Sequence, residues 1–559
     1  MSCESAEQAA AAGRVSWGRE VAELTLIALI FAAAGGWPVP DVNETVYLTK
    51  ARHAADPAYA EGDFFLETPD AHGIFYRLAG PLTAALPLDT AAWIGRLAGW
   101  LSLAMGFHHL AVTLLAGRSA RGTFARLAAA VMFSAALRFT PAAGEWVIGG
   151  CEAKVFAWAL VLGGTGELVR GRFARAWCLM GGATAFHPIV GGWAMLAAAL
   201  AAASSWRREP GSLGADTGET PRTSGRAASE RQSPVRAGAR GMAALICGVG
   251  VALAAGGIMP ALALSADADS ATRAEAARIY VVERLPHHLL PRTFAPGLAA
   301  RHVLAIIVWW LLERLAPASP ARNRLARFTL AALGISLTGL VISAFEPWAP
   351  AAVHGLLRFY WFRLADVAVP VALAISAAAV LADDAACRRL FPVAPPLVRG
   401  LAGLLMVADL AAESSHWPLP GREVAARGDG KVEAAAWAEV CGWVREHVPP
   451  GTCVLTPREA ASFTWRTGLP EVVAWKNSPQ DAASLVAWRR RIIDCFSADG
   501  TLRDLKRSTA VLGAARMREV ADRYGASVAI VPLDAAGLAE PPCERLHAND
   551  HYAVLRLVE

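Results

Sequence analysis

The stretch RAWCLMGGATAFHPIVGGWAMLAAALAAASS, residues 175–205, decides how this chain is folded. It is almost free of charge and is longer than the roughly 20 residues that one membrane span needs. His187 and Pro188 interrupt it near its middle. Proline removes a backbone donor and disfavours helix in the residue before it. The stretch therefore predicts two short helices that meet at His187.

Comparable apolar runs recur throughout the first 412 residues. The chain of 559 residues is 55% hydrophobic and 18% charged, against roughly 25% charged residues in an ordinary soluble domain. This composition excludes a plain cytosolic enzyme. The net charge of +5 fits basic cytoplasmic loops, and no basic and aromatic stretch indicates a nucleic-acid partner. The runs are 21–37, 90–116, 122–140, 153–169, 241–264, 300–315, 325–345, 364–383 and 396–412.

The distribution of arginine predicts the orientation. Loops 117–126, 169–175 and 316–327 and the linker 207–240 are rich in Arg, so the positive-inside rule places them in the cytoplasm. Segment 175–205 must then enter the membrane and return. The result is a mainly α, polytopic helical bundle of about eleven crossings over residues 1–412, with a cytoplasmic N-terminus. We expect it in the inner (cytoplasmic) membrane, with an acidic outer loop over 38–89 and a disordered linker over 207–240.

Residues 413–559 have a different pattern, which predicts a small extracytoplasmic α/β domain. Short buried-strand patterns alternate there with amphipathic helical ones. At this length the domain is large enough for its own core, so we expect it to fold as a separate unit. Its four cysteines, Cys441, Cys453, Cys495 and Cys543, match no disulfide or zinc spacing. The predicted strands are 452–456, 527–531 and 551–558, and the predicted helices are 432–448, 481–496 and 513–524.

Polar residues that could carry chemistry gather on the predicted outer side. No phosphate loop, HExxH or GxSxG motif stands in a convincing setting. Asp41 and Glu44 follow the first span three residues apart, which puts both carboxylates on one face of a helical turn. Either could act as a general base at a partly desolvated membrane edge. The alternative is an interfacial loop with solvated acids.

Two further clusters combine charge with aromatic or apolar surroundings. Asp63 and His72 lie in the outer loop, where they could bind a sugar or a divalent ion. Glu152 and Lys154 stand at the entrance of a span, where charges are expensive unless they are paired or functional. His187 could face a polar cavity. The alternatives are interfacial packing of the loop that holds Asp63 and His72, mutual ion pairing of Glu152 and Lys154, and a plain helix break at His187.

A basic and aromatic group on the same side favours a phosphate ligand. Arginine offers paired donors to phosphate, and the rings can flank a lipid. The alternative is an ordinary aromatic belt at the membrane interface. The group consists of Arg284, His287, His288, Arg358, Tyr360 and Arg363.

These features resemble an uncharacterised bacterial, planctomycete-type family of multi-pass membrane proteins, and the architecture resembles the GT-C superfamily of membrane glycosyltransferases. The resemblance covers most of the chain outside the linker. No clear DxD motif is present, so the dependence on a metal stays open, with Mg²⁺ or Mn²⁺ as the candidate cofactor. The matching stretches are 43–50, 62–66, 152–156, 187–188, 285–288, 359–366, 475–481 and Trp488.

The resemblance implies transfer of a sugar from a polyprenyl-phosphate carrier to an extracytoplasmic glycan or protein acceptor. In that reaction Glu44 or Asp41 is the base, and the basic residues of the outer side hold the leaving phosphate. Membrane lipid is the other expected partner. Two alternatives stay open: a transporter or lipid flippase, and a non-catalytic membrane assembly or sensor protein.

Overall fold

The computed structural model describes residues 3–115, 117, 119–206, 234–537 and 543–557. The first 413 residues are helical wherever the structure describes a regular element. A six-residue π-helix, Ile279–Arg284, continues directly from α10. The helices are α1 Cys3–Gly35, α2 Glu44–Ala55, α3 Gly73–Ala85, α4 Leu88–Leu114, α5 Ala120–Phe139, α6 Ala153–Val169, α7 Phe173–Phe186, α8 Pro188–Trp206, α9 Pro234–Ala263, α10 Ser270–Arg278, α11 Pro286–Leu289, α12 Pro296–Leu315, α13 Pro320–Ala344, α14 Pro350–Leu357, α15 Ala365–Ala382, α16 Asp384–Leu390 and α17 Pro395–Glu413.

The C-terminal part combines short helices with a four-stranded sheet of order β1-β2-β4-β3. β1 and β2 are parallel, whereas β4 runs antiparallel to both β2 and β3. The elements are α18 Ala434–His447, β1 Cys453–Leu455, α19 Phe463–Thr467, α20 Ala482–Phe496, α21 Ala514–Tyr524, β2 Ala526–Pro532, α22 Leu533–Ala536, β3 Glu544–Ala548 and β4 Tyr552–Arg556.

Every apolar run predicted as a span is helical, and six helices in the described part of the chain are long and apolar enough to cross a membrane. The six are Leu88–Leu114, Ala120–Phe139, Gly241–Ala263, Pro320–Ala344, Ala365–Ala382 and Pro395–His416. The remaining runs form helices that are shorter or carry more charge. A mainly helical membrane-type bundle is therefore confirmed, while the count of eleven crossings stays a prediction.

The predicted break at His187 and Pro188 is confirmed. α7 ends at Phe186 and α8 begins at Pro188. A Cβ atom on Gly191 would lie 2.0 Å from the backbone nitrogen of Thr184, whereas seven residues of a straight helix would separate these positions by about 10 Å. The chain therefore folds back on itself at His187.

The predicted disordered linker over 207–240 is only partly testable. Residues 207–233 lie outside the described residues. Residues 234–240 form the first turns of α9, while the disorder of the linker stays a prediction. Helix α9 begins before the apolar run, at Pro234, a residue that is well suited to the first turn of a helix.

The C-terminal sheet confirms the three predicted strands within one or two residues and adds β3, which sequence analysis missed. The burial pattern of β3 is largely exposed, so it carries little of the apolar alternation that identifies a strand. The core of this unit also includes Ala276 and Ile279, from α10 and the π-helix. Cys441, Cys453 and Cys495 are not bridged.

Candidate functional site

A polar cavity of about 270 Å³ lies where several bundle helices end beneath the C-terminal unit. Its walls come from the segment before α3, the α7–α8 break, the end of α9, the π-helix, the α14–α15 connection and residues 476–485. Eight of the predicted site residues line it. They are His72, Lys154, His187, Arg284, His288, Arg358, Tyr360 and Arg363.

The lining holds five Lys or Arg side chains and two carboxylates, so it favours an anion. Arg284, Arg358 and Lys476 have no carboxylate within ion-pair distance among the described residues. The Nη2 of Arg284 donates to the Lys476 carbonyl at 3.1 Å, while its buried Nε has no hydrogen-bond partner in the described structure. Burial and the neighbouring Arg284 lower the pKa of Lys476 to about 8.

The other two cations are paired with acids. Arg363 Nε lies 2.8 Å from Glu145 Oε2. Lys154 Nζ lies 3.7 Å from Glu145 and 3.6 Å from Glu152, and it stands over the Trp146 ring at 3.6 Å. These ion pairs fix the positions of Arg363 and Lys154 in the wall. Removing one partner would leave a buried charge without compensation.

An Asp–His pair faces the same cavity. His72 Nδ1 lies 2.7 Å from Asp70 Oδ1. Burial by itself raises the pKa of Asp70, but His72 and Lys50 outweigh it and hold that pKa below its ordinary value. Asp70 is therefore an ionised acceptor for the Nδ1 proton, an arrangement that in the neutral ring leaves the lone pair on the opposite nitrogen, Nε2. The His187 ring lies 4.9 Å away. His72 thus has the form of a general base.

The backbone near the cavity is unusual at two places. Leu285 N donates to the Tyr280 carbonyl at 3.0 Å, and this bond closes the wide turn with which the π-helix ends at Arg284. Tyr360 has a φ of +54°, which is rare for a residue with a side chain. The Tyr280 and Tyr360 hydroxyls lie 2.9 Å apart. Such irregular backbone often occurs at functional sites.

Glu44 and Asp41, the predicted bases, do not line the cavity. Glu44 is 0% exposed. Its Oε1 accepts from Arg96 Nε at 2.7 Å and from Cys151 N at 2.8 Å, and its Oε2 accepts from Arg96 Nη2 at 2.6 Å and from Asp41 N at 2.7 Å. Arg427 donates to both oxygens of Asp41, at 2.8 and 2.5 Å. A base must reach its substrate, so the geometry gives these carboxylates a structural place instead.

Three other predicted residues stand behind the lining. Asp63 Oδ1 accepts from the backbone nitrogens of Phe65 and Leu66, and its Oδ2 accepts from Glu471 N at 3.0 Å. Asp63 therefore joins the outer loop to the C-terminal unit. Glu152 accepts from Asn43 Nδ2 at 2.9 Å and supports Lys154. The ring of His287 lies 4.1 Å from that of His288.

Sequence analysis did not assign several lining residues to the site. Glu145 and Tyr280 lie near predicted site residues in the sequence. Lys476 and Gln480 lie in 475–481, a stretch that contributes to the family resemblance but was given no functional role. The sequence did offer one signal for Glu145, because this residue lies in the connection that leads to the predicted site residue Lys154. The lining residues that were not assigned include Tyr47, Asp70, Glu145, Tyr280, Lys476 and Gln480.

The cavity does not fit a divalent cation. No group of three or more His, Cys, Asp or Glu side chains forms a metal-binding set within the part of the chain that the structure describes. The two lining carboxylates are already paired, Asp70 with His72 and Lys50 and Glu145 with Arg363 and Lys154. The oxygen ligands that Mg²⁺ or Mn²⁺ prefers are therefore not offered here.

Comparison with known proteins gives a partial match. Residues 435–495 match a family model described as a domain of unknown function, DUF6798. The match spans α18 to α20 and includes Lys476 and Gln480 of the cavity. No curated protein matches the chain. The matched segment thus contributes residues to the site, but the description of the family states no activity.

Proposed function

We propose that the protein is a membrane glycosyltransferase of GT-C type. In this proposal it moves a sugar from a polyprenyl-phosphate carrier to an extracytoplasmic acceptor, and the cavity beneath the C-terminal unit is its active site. The observation that carries the proposal is the set of cations without carboxylate partners, Arg284, Arg358 and Lys476, in the cavity lining. A phosphate supplies the charge and the acceptor oxygens that these donors need.

An apolar edge of the cavity supports a lipid-linked donor. Ile189, Ala261, Leu264 and Phe359 line this edge. The apolar stretch Gly241–Ala263 of α9, which leads to it, is largely exposed, as expected for a helix that faces lipid. A polyprenyl chain could therefore leave the cavity here while its phosphate stays among the cations.

The proposed chemistry is a single displacement at the anomeric carbon. His72 Nε2 accepts the proton of the acceptor hydroxyl while the hydroxyl oxygen bonds to the anomeric carbon. The bond from that carbon to the phosphate oxygen breaks, and its electron pair stays on the phosphate. Arg284, Arg358 and Lys476 stabilise the developing negative charge. The products are the glycosylated acceptor and the polyprenyl phosphate, and Asp70 holds the imidazolium through Nδ1.

The experiment measures donor binding and donor consumption separately. Purified full-length protein in nanodiscs is given undecaprenyl-phosphate-linked hexoses, one at a time, and compared with Arg284→Gln and Arg358→Gln. Each variant should weaken binding by roughly ten- to a hundredfold, the value of a hydrogen bond to a charged group. Arg490→Gln is the matched control, because Arg490 is exposed on α20 and lies away from the cavity.

The outcomes separate the three functional classes. Transfer of label to an acceptor supports the enzyme. A donor that binds but only changes leaflet indicates a transporter or flippase, and a wild type that neither binds nor consumes any polyprenyl-linked donor contradicts the proposal in favour of an assembly or sensor role. Reporter fusions at residues 220 and 450 test the proposed orientation, which requires opposite sides.

A further inference from the structure

A second cavity, of about 360 Å³, lies at the same end of the bundle. The ends of α1, α5 and α17 and the start of α12 surround it, and we call it the α17 cavity. It shares Glu145 and Trp146 with the first cavity. The proposed glycosyl transfer uses none of its remaining lining residues.

The α17 cavity opens where lipid head groups would lie. α5 and α17 are both long and apolar enough to cross a membrane, and both end at this cavity. α17 exposes a row of large apolar side chains, including Leu397, Leu401 and Leu404. Such a row is stable only against lipid or a protein partner. If lipid covers it, the head groups lie near the end of α17, where the cavity is.

Arg138, Glu413 and His416 form one wall of the cavity, and Asp409, which pairs with Arg138, lies beside the lining. Asp409, Glu413 and His416 follow at intervals of four and three residues, which places them on one face at the end of α17. Arg138 contacts both carboxylates, and its Nε lies 3.2 Å from Glu413. The other cation of the lining, Arg427, is already bound to Asp41. Two carboxylates therefore share one arginine.

Several buried polar atoms here have no hydrogen-bond partner in the described structure. Two are acceptors, Asp409 Oδ2 and His416 Nε2, and two are donors, Arg138 Nη1 and Arg138 Nε, of which Nε is within ion-pair distance of Glu413. The His416 side chain is only 9% exposed, and its ring is stacked on Trp37 at 4.2 Å. Buried polar groups in folded proteins are normally satisfied, so this set calls for a ligand that has both donors and acceptors.

We infer that the α17 cavity binds the head group of a phospholipid that carries a primary ammonium, such as phosphatidylethanolamine. An ammonium has three N–H donors and one positive charge, which match the Glu413 carboxylate and the His416 nitrogen of the lining and the Asp409 carboxylate beside them. The adjoining phosphate supplies the acceptor for Arg138 Nη1. A choline head group has no N–H donor, and a glycerol head group has no positive charge.

The test compares lipids that differ only in the head group. Purified full-length protein is titrated with dioleoyl phosphatidylethanolamine, phosphatidylcholine or phosphatidylglycerol, and the retained lipid is counted by native mass spectrometry. The wild type should retain the ethanolamine lipid roughly tenfold better than the choline lipid, because hydrogen bonds to charged groups are lost. Equal retention would mean an adventitious lipid only and would overturn the inference.

Substitutions locate the effect in the cavity. Asp409→Asn and Glu413→Gln should each remove the preference for ethanolamine. Asp384→Asn is the matched control, because Asp384 pairs with Arg399 of α17, as Asp409 pairs with Arg138. It should keep the preference, and a preference that survives both cavity variants would contradict the inference. If those variants fail to fold, the wild-type comparison of the ethanolamine and choline lipids decides. The result does not depend on whether any sugar is transferred.

Discussion

Replacing His72 by Gln removes the imidazole that faces the cavity. A positioned base contributes about 10²–10⁴-fold to the rate, which corresponds to about 2.7–5.4 kcal/mol of transition-state stabilisation. The loss of folding stability should be smaller, below about 2 kcal/mol. The Gln amide can still donate to Asp70, which also keeps the bond from the His72 backbone nitrogen at 2.9 Å and Lys50 at 3.8 Å.

The orientation of the ring can be tested separately with Asp70→Asn. An Asn amide in that place donates to Nδ1, so the ring proton moves to Nε2 and the lone pair no longer faces the cavity. Turnover should fall within the same range while the imidazole stays in place. Because Lys50 then loses its carboxylate, the thermal midpoint of this variant must be measured beside its rate.

The assay follows labelled hexose leaving undecaprenyl phosphate in membranes that contain equal amounts of each variant. His53→Gln is the control, since His53 Nδ1 is also hydrogen-bonded, to the backbone carbonyl of Tyr59 at 2.8 Å, but His53 lies outside the cavity lining. It should retain the wild-type rate. Wild-type turnover by His72→Gln, with the protein folded, would refute the assignment of the base.

Three further predictions follow from the charges and the core. Because the pKa of Lys476 is about 8, affinity for a phosphodiester, whose own charge is constant, should fall as pH rises from 7 to 9, and Lys476→Gln should abolish that dependence in calorimetric titrations. Glu44→Gln should lower the free energy of unfolding by roughly 3–5 kcal/mol, since it leaves the buried Arg96 without its partner, and a denaturant midpoint equal to wild type would contradict this structural role. A fragment of residues 425–559 should fold and be soluble, as the sequence predicts, although it exposes the surface that covers Ala276 and Ile279 in the full chain; a molten product that binds a hydrophobic dye would show that the unit depends on the bundle.

Sequence alone predicted the long apolar helices, three helices of the C-terminal unit and three of its four strands, and it missed short helices outside the apolar runs, such as α2, α3 and α10. Apolar runs and strand alternation are local signals, so they can be read within a window of about 20 residues. The break at His187 is equally local, because proline acts on its own turn and on the residue before it. Polar residues near the ends of apolar runs also indicated eight of the residues that line the cavity.

Only the tertiary structure decided what each charge does. Glu44 and His72 both appeared as polar residues of one outer loop, yet packing brings Arg96 to Glu44 from 52 residues away and leaves the His72 ring facing the cavity. Lys476 reaches the same cavity from the C-terminal unit, roughly 400 residues along the chain from His72. The physical reason is that a carboxylate or an amine becomes structural or reactive through the partners that the fold places beside it, and those partners are remote in the sequence.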